Sequence, residues 1–251
     1  MNQPANYFQE VSRETVEQYT FLIYGGSGSG KTVLSSLFPN PLFISVDAGA
    51  MGGLLSAVSQ MEGSIKQVKL TSYQQLVGLL PALERDAKKV FHTLVLDSLT
   101  SFNQLVVRDI LMLSAKETPV FADWNLAVAR MRNIINKLAS LGSHLILTAT
   151  EQIQKDENSG KIIGLPNLPG KLAHEAPAGV DIVIRTHVRS GYDAKTMKRK
   201  VTYVGSTAPD DLWYAKDRSA TLPAELMLSD EQGKPTFKTL EHLFEKRGEK
   251  K

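Results

Sequence analysis

Three features of the sequence predict an α/β fold with a mainly parallel central sheet flanked by helices. Short apolar, β-prone runs alternate with helical patterns along residues 21–187, which is the spacing of βαβ units whose sheet is buried on both faces. A glycine-rich segment stands between the first apolar run and the first helix. A later apolar run ends in an aspartate, at the carboxyl end of a strand, where open α/β sheets place their ligands.

The elements follow in order. Strands are expected over 21–24, 42–46, 93–96, 144–148 and 181–187, each a short run rich in Leu, Ile, Val and Phe. Helices are expected over 31–37, 72–89, 101–115 and 124–141, with Pro81 breaking or kinking the second and Asp123 capping the last. Residues 189–199 contain Gly191, Tyr192 and Asp193, a turn signal that predicts a C-terminal β-hairpin with a second arm over 200–204. The expected organisation is an N-terminal segment (1–20), one large α/β domain (21–228) and a C-terminal tail (229–251), frayed at its tip.

Composition narrows the function classes. A chain of 251 residues, 42% hydrophobic and 22% charged, suits one large domain with its own core. There is no cysteine, which removes disulfides, thiolate metal sites and thiol nucleophiles and fits a reducing, cytoplasmic setting. The first 20 residues lack an apolar stretch, and no run approaches the roughly 18 apolar residues of a membrane span, so neither secretion nor a membrane partner is expected. Net charge is only +3, so any nucleic-acid affinity must come from local clusters. His92, His144, His174, His187 and His242 show no metal-ligand spacing.

Gly25, Gly26, Ser27, Gly28, Ser29, Gly30, Lys31 and Thr32 fit the pattern G-x-x-x-x-G-K-[ST] between a strand and a helix. Glycines let the backbone curl with its N–H groups inward, forming an anion nest. Lys31 then reaches the β- and γ-phosphates of a nucleoside triphosphate, and the Thr32 hydroxyl takes a magnesium position. Asp97, at the end of the run over 93–96, is the expected magnesium-organising carboxylate. The loop and Asp97 therefore imply a nucleoside triphosphate and Mg2+ as cofactors.

The water-polarising group is less direct. Some P-loop ATPases carry a Glu next to the metal Asp; Ser98 occupies that place here. Others carry it at the end of the strand after the P-loop helix, where Asp47 stands, one methylene shorter than the usual Glu. A shorter reach slows general-base chemistry. Thr150 and Gln152, after the run over 144–148, are candidates for a γ-phosphate sensor.

With these residues the chain resembles the RecA-like recombination ATPases, and among them the small phage proteins assigned to single-strand annealing, the Sak-four group. The resemblance rests on the P-loop and on residues 41–49, 94–99, 124–150 and 215–218. It implies ATP as the nucleotide, its hydrolysis, single-stranded DNA as ligand and assembly into a homo-oligomer, ring or filament. It also implies work beside a phage recombination or replication system, with a single-strand DNA-binding protein as a candidate partner. Lys216 and Arg218 resemble basic residues that reach a neighbouring subunit's γ-phosphate. Two surfaces are candidates for DNA: a long irregular loop over 152–171 with Lys155, Lys161 and Lys171, and the hairpin with Arg185, Arg189, Lys195, Lys198, Arg199 and Lys200 beside Tyr192. Trp124 and Trp213 are read as packing residues. Two alternatives stay open: an ATP-switched DNA-binding assembly protein with negligible turnover, and a small-molecule kinase, although no Arg-rich lid is evident.

Overall fold

The computed structural model describes residues 18–46, 50–59, 64–155, 160–192, 197, 199–230 and 232–244. The first half comprises β1 (Thr20–Gly25), α1 (Lys31–Ser36), β2 (Pro41–Ser45), α2 (Ala50–Val58), β3 (Lys66–Lys69), α3 (Tyr73–Val90), β4 (Thr93–Asp97) and α4 (Leu99–Leu113). It is followed by α5 (Phe121–Ala139), β5 (His144–Ala149), β6 (Glu151–Lys155), β7 (Ile162–Pro166), α6 (Leu172–Gly179), β8 (Ile182–Tyr192) and β9 (Arg199–Ser206). The short elements β10 (Lys216–Asp217), β11 (Glu225–Met227) and α7 (Lys238–Glu241) close the chain.

The main sheet runs β11-β9-β8-β1-β5-β4-β2-β3, with β10 paired to the start of β8. From β8 to β3 every neighbouring pair is parallel, whereas β9, β10 and β11 join antiparallel. This is the α/β architecture expected, a mainly parallel sheet flanked by helices, with an antiparallel extension towards the C-terminus. Strand β1 lies between β8 and β5, so β5 separates it from β4.

Side chains alternate between the two faces of a strand, and both faces here are covered. Leu22, Tyr24, Leu94, Leu96, Leu145 and Leu147 pack with Leu76, Phe102, Val106 and Met131 of α3, α4 and α5. Phe21, Ile23, Phe43, Val95, Ile146 and Ile184 point the other way and pack with Leu34, Phe38 and Leu240. Double coverage is why these strands read as continuous apolar runs.

Several elements differ from the sequence reading. Pro81 does not interrupt α3; Leu76 and Leu83, buried on either side of it, offset the roughly 3 kcal/mol that an interior proline costs. Helix α5 starts at Phe121, three residues earlier than expected, with Val120 at the N-cap. Asp123 instead sits in the first turn, where its carboxylate accepts from the Val120 N–H at 2.9 Å and from Lys116 Nζ at 2.8 Å. The expected irregular loop over 152–171 contains an antiparallel β6–β7 ribbon in which Gln152 faces Leu165 and Lys155 faces Ile162. Strand β6 carries a single apolar residue, Ile153, and β7 contains Gly164 and ends in Pro166, so neither reads as a strand by pattern. Trp213 makes a single bridge to Gly164 of β7.

The segment from Ser229 is not a loose appendage in its described part. Phe237, Leu240, Leu243 and Phe244 pack on the second core, and the Phe244 ring lies 5.4 Å from that of Phe38 and 4.7 Å from that of His144. The expected frayed tip lies outside the described residues. Among those residues no helix is long and apolar enough to cross a membrane.

Candidate functional site

The loop over 25–32 joins β1 to α1 and is pinned against β8. Gly25 is in register with Thr186, and a β-carbon on Gly25 would stand 2.1 Å from the Thr186 carbonyl oxygen, so no larger residue fits. Ser29 Oγ and Thr186 Oγ1 share a buried hydrogen bond of 2.7 Å that ties the loop to the same point. Gly28 and Gly30 have φ of +74° and +94°, a region that side-chain-bearing residues rarely adopt. Lys31 Nζ donates to the carbonyls of Gly25 and Gly26 at 2.9 and 2.8 Å, which keeps the ammonium over the loop. Burial pushes its pKa below the usual lysine range, while Asp97 and Glu151 push it back up.

Three neighbouring strand ends face α1. Ser45 is in register with Asp97 across β2 and β4, and Thr148 stands one strand further on β5. Asp97 accepts from Thr32 Oγ1 at 3.0 Å on one carboxylate oxygen and from Thr148 Oγ1 at 2.5 Å on the other. Ser98 caps α4, its Oγ accepting from the Ser101 N–H at 3.3 Å. The fully buried Ser45 Oγ has no hydrogen-bond partner among the described residues. A hydrated cation beside Asp97 would supply one. No cluster of three or more His, Asp or Glu suited to a metal occurs among the described residues. Magnesium would therefore rest on Thr32 and Asp97 and take its other oxygens from water and phosphate, as this ion does at nucleotide sites.

Glu151 and Arg185 were not assigned to the site from sequence, yet they flank the loop. The Glu151 carboxylate reaches 3.3 Å from where a Gly26 β-carbon would stand. Its other oxygen accepts from Arg185 Nε at 3.1 Å. The Arg185 guanidinium lies 3.7 Å above the Trp213 ring, and that ring fills the space over Gly164 of β7. Arg185 thus leaves the basic patch expected on the hairpin, since its side chain is only 14% exposed. Burial raises the Tyr24 hydroxyl above the usual tyrosine range, and the group donates to the Tyr214 carbonyl. No spacing signal links positions 26, 151, 185 and 213; the sheet order brings them together.

A cleft of about 500 Å³ opens on the loop, lined by Lys31, Thr32, Asp97 and Thr150, and on its other side by Tyr203, Leu228 and Pro235. Its size falls within the range of small-molecule sites. The residues fit a magnesium-bound nucleoside triphosphate: charge, donors and glycine-permitted curvature all converge there.

The remaining expected residues are dispersed. Thr150 lines the cleft, its N–H donating to Thr100 Oγ1 at 3.1 Å, whereas Gln152 turns to the Pro166 carbonyl across the β6–β7 ribbon. Lys155, Lys161 and Lys171 are exposed along that ribbon and at the start of α6. Arg199 and Lys200 are exposed on β9, while Arg189 is held in an ion pair by Glu225. Lys216 Nζ donates to the carbonyls of Pro177 and Val180, both at 2.6 Å, and Arg218 to that of Ala178 at 2.8 Å. Both cations thus satisfy the carbonyl end of α6, where positive charge is favoured. They sit beside the start of β8, away from the chain's own phosphate loop. Asp47, Lys195 and Lys198 lie outside the described residues.

The model of the AAA domain family matches residues 17–219. No curated protein matches the chain. Among solved structures, a KaiC-like protein from the hyperthermophilic archaeon Pyrococcus horikoshii OT3 is 18% identical with a TM-score of 0.42, the match covering 74% of this chain and 77% of that one. The RadB recombinase is 11% identical with a TM-score of 0.44, covering 75% and 79%. The family match includes the phosphate loop, the Asp97 strand and the Glu151–Arg185 pair, and on it this chain belongs to the AAA domain family.

Proposed function

We propose that this protein is a RecA-like, magnesium-dependent ATPase that couples ATP to single-stranded DNA binding and self-assembly, in phage recombination by annealing or strand exchange. The observation that carries the ATP part is the hydrogen-bonded chain Thr32–Asp97–Thr148 beside Lys31. Phosphoryl transfer depends mainly on positioning and charge stabilisation, and this arrangement supplies both. Backbone N–H groups of the loop and Lys31 hold the β- and γ-phosphates. Thr148 orients Asp97, and Asp97 with Thr32 would hold the magnesium ion, which when bound would supply charge against that developing on the phosphate oxygens. Asp47 takes the water-polarising role on the strength of its place after β2, and Thr150 takes the sensor role, a reading supported by its place in the cleft lining.

The DNA part rests on two exposed ribbons and on the resemblance drawn from the residues. The β6–β7 ribbon carries Lys155 and Lys161, with Ile153 and Ile162 exposed on it. The β8–β9 ribbon carries Arg199 opposite Tyr192, with Lys200 next to it. Phosphate contact by lysine and arginine with aromatic stacking binds single strands without reading sequence. In a ring or filament Lys216 and Arg218 would exchange the α6 carbonyls for a neighbour's γ-phosphate. The setting we propose is the host cytoplasm, with a single-strand DNA-binding protein as partner. The ATPase unit extends past residue 228 to include the segment that packs on the second core.

The test is ATP hydrolysis with magnesium, with and without single-stranded DNA, across a salt series. Turnover stimulated by DNA and weakened by salt is expected. DNA binding without turnover would favour an ATP-switched assembly protein, a reading kept open because Glu151, the other carboxylate against the loop, is held by Arg185. No effect of DNA on either would remove the recombination reading.

A further inference from the structure

The cleft wall across from Asp97 is aromatic and apolar, and it starts at the phosphate loop itself. Tyr203 stands on β9 opposite Val188, and its ring carbons Cδ1 and Cε1 lie 3.3 and 3.9 Å from where a β-carbon on Gly30 would stand. The ring is half-buried, and it is the one aromatic side chain among the described residues that line the cleft. Leu228 and Pro235 continue the wall beside it. Its place is set by the sheet rather than by a loop: the Tyr203 carbonyl accepts from the Leu228 N–H at 3.0 Å, and the Leu228 carbonyl accepts from the Thr236 N–H at 3.1 Å. Val204 and Leu226, both buried, anchor β9 and β11 beneath it.

A loop of glycines and a lysine recognises phosphate charge and is indifferent to what the phosphates carry. Retention of a nucleoside over a bare phosphate chain needs apolar or aromatic surface next to the loop, and Tyr203 with its neighbours provides such a surface. We propose that Tyr203 is the base platform of this site: its ring stacks on the base of a purine nucleoside triphosphate while Leu228 and Pro235 exclude water from the stack. The larger purine face is favoured over a pyrimidine because stacking grows with overlapping aromatic area. This inference rests on the reading of residues 25–32 as the phosphate site.

The experiment measures equilibrium binding, with magnesium, of ATP, CTP and inorganic tripolyphosphate to the full chain, to Tyr203→Ala, to Tyr203→Phe and to Lys31→Ala. Tyr203→Ala is expected to weaken ATP binding about tenfold, the typical size of one base–aromatic stack. It is also expected to shrink the preference for ATP over CTP and to leave tripolyphosphate affinity unchanged. Tyr203→Phe should bind ATP like the parent chain, since the ring and not the hydroxyl does the stacking. Unchanged ATP affinity in Tyr203→Ala overturns the proposal. So does an equal loss of ATP and tripolyphosphate, which would mean that the ring only shapes the loop. Retained tripolyphosphate binding in Lys31→Ala would instead remove the phosphate reading, so the two failures are distinguishable.

Discussion

Asp97 is useful to the site because both of its oxygens are held, by Thr32 on one side and Thr148 on the other. A carboxylate fixed in this way need not be ordered when a cation arrives, which lowers the entropic cost of binding. Thr148→Val keeps the side-chain shape and removes one of these bonds; it should weaken magnesium affinity severalfold, read as a higher magnesium concentration for half-maximal nucleotide binding, with little loss of fold. An unshifted magnesium titration would assign Thr148 to packing alone. Lys31→Ala removes the only cation that donates to the loop carbonyls among the described residues and should abolish nucleotide binding; full ATPase activity in that variant would end the phosphate reading. At this scale the sequence was readable where chemistry follows from a contiguous pattern, as in residues 25–32. It was silent on Glu151 and assigned Arg185 to the basic hairpin, because their proximity depends on strands distant in sequence.

Between elements, the joint that stands out is the contact of Trp213 with Gly164. A β-carbon at position 164 would meet the Trp213 ring at 2.1 Å, so β7 and the 210–214 segment pack directly. The same ring carries Arg185, which holds Glu151 at the loop. Gly164→Ala should therefore destabilise the protein by about 1–3 kcal/mol, as overpacking does, and should also disturb nucleotide affinity through Arg185. Chemical denaturation and nucleotide titration measure the two effects, and a stable variant with parental affinity would break the proposed link. Helices α1, α3, α4 and α5 were legible from apolar periodicity, whereas α2, α6 and α7 were not, and the helix ends were not either: Asp123 carries the chemistry of an N-cap and serves one turn later because Val120 adopts the extended cap conformation. The β6–β7 ribbon escaped notice for a similar reason, since backbone pairing and not side-chain pattern defines it.

For the molecule as a whole, the second core joins the start of β1, α1 and the C-terminal segment. Truncation after Leu228 should lower the thermal midpoint by several degrees or more, because it removes Phe237, Leu240 and Phe244 from contact with Phe21 and Phe38. An unchanged midpoint would show that this packing does not support the fold. His144 lies in the same region. Its Nδ1 accepts from the Tyr19 N–H at 3.0 Å, and burial, helped by nearby His92, lowers its pKa to about 4. The unfolded chain takes up this proton near pH 6.5 and the folded chain does not, so the folded state loses stability as pH falls from about 6.5 towards 4, by up to about 1.4 kcal/mol per pH unit. Urea midpoints at pH 7 and pH 4.5 should differ less in His144→Gln, which keeps an acceptor but cannot titrate. Equal differences in the two proteins would place the acid sensitivity elsewhere.

By itself the sequence determined the α/β class, the loop between the first strand and first helix, and an aspartate at the end of a parallel strand. Each of these follows from local pattern: burial on both faces makes continuous apolar strands, and glycine spacing makes an anion nest. Only the tertiary structure decided that Thr148 shares Asp97 with Thr32, that Glu151 and Arg185 flank the loop, that Tyr203 walls it, and that the C-terminal segment is core. Those outcomes depend on strand order and register, which set the neighbours of each residue across the sheet and which a one-dimensional pattern does not contain.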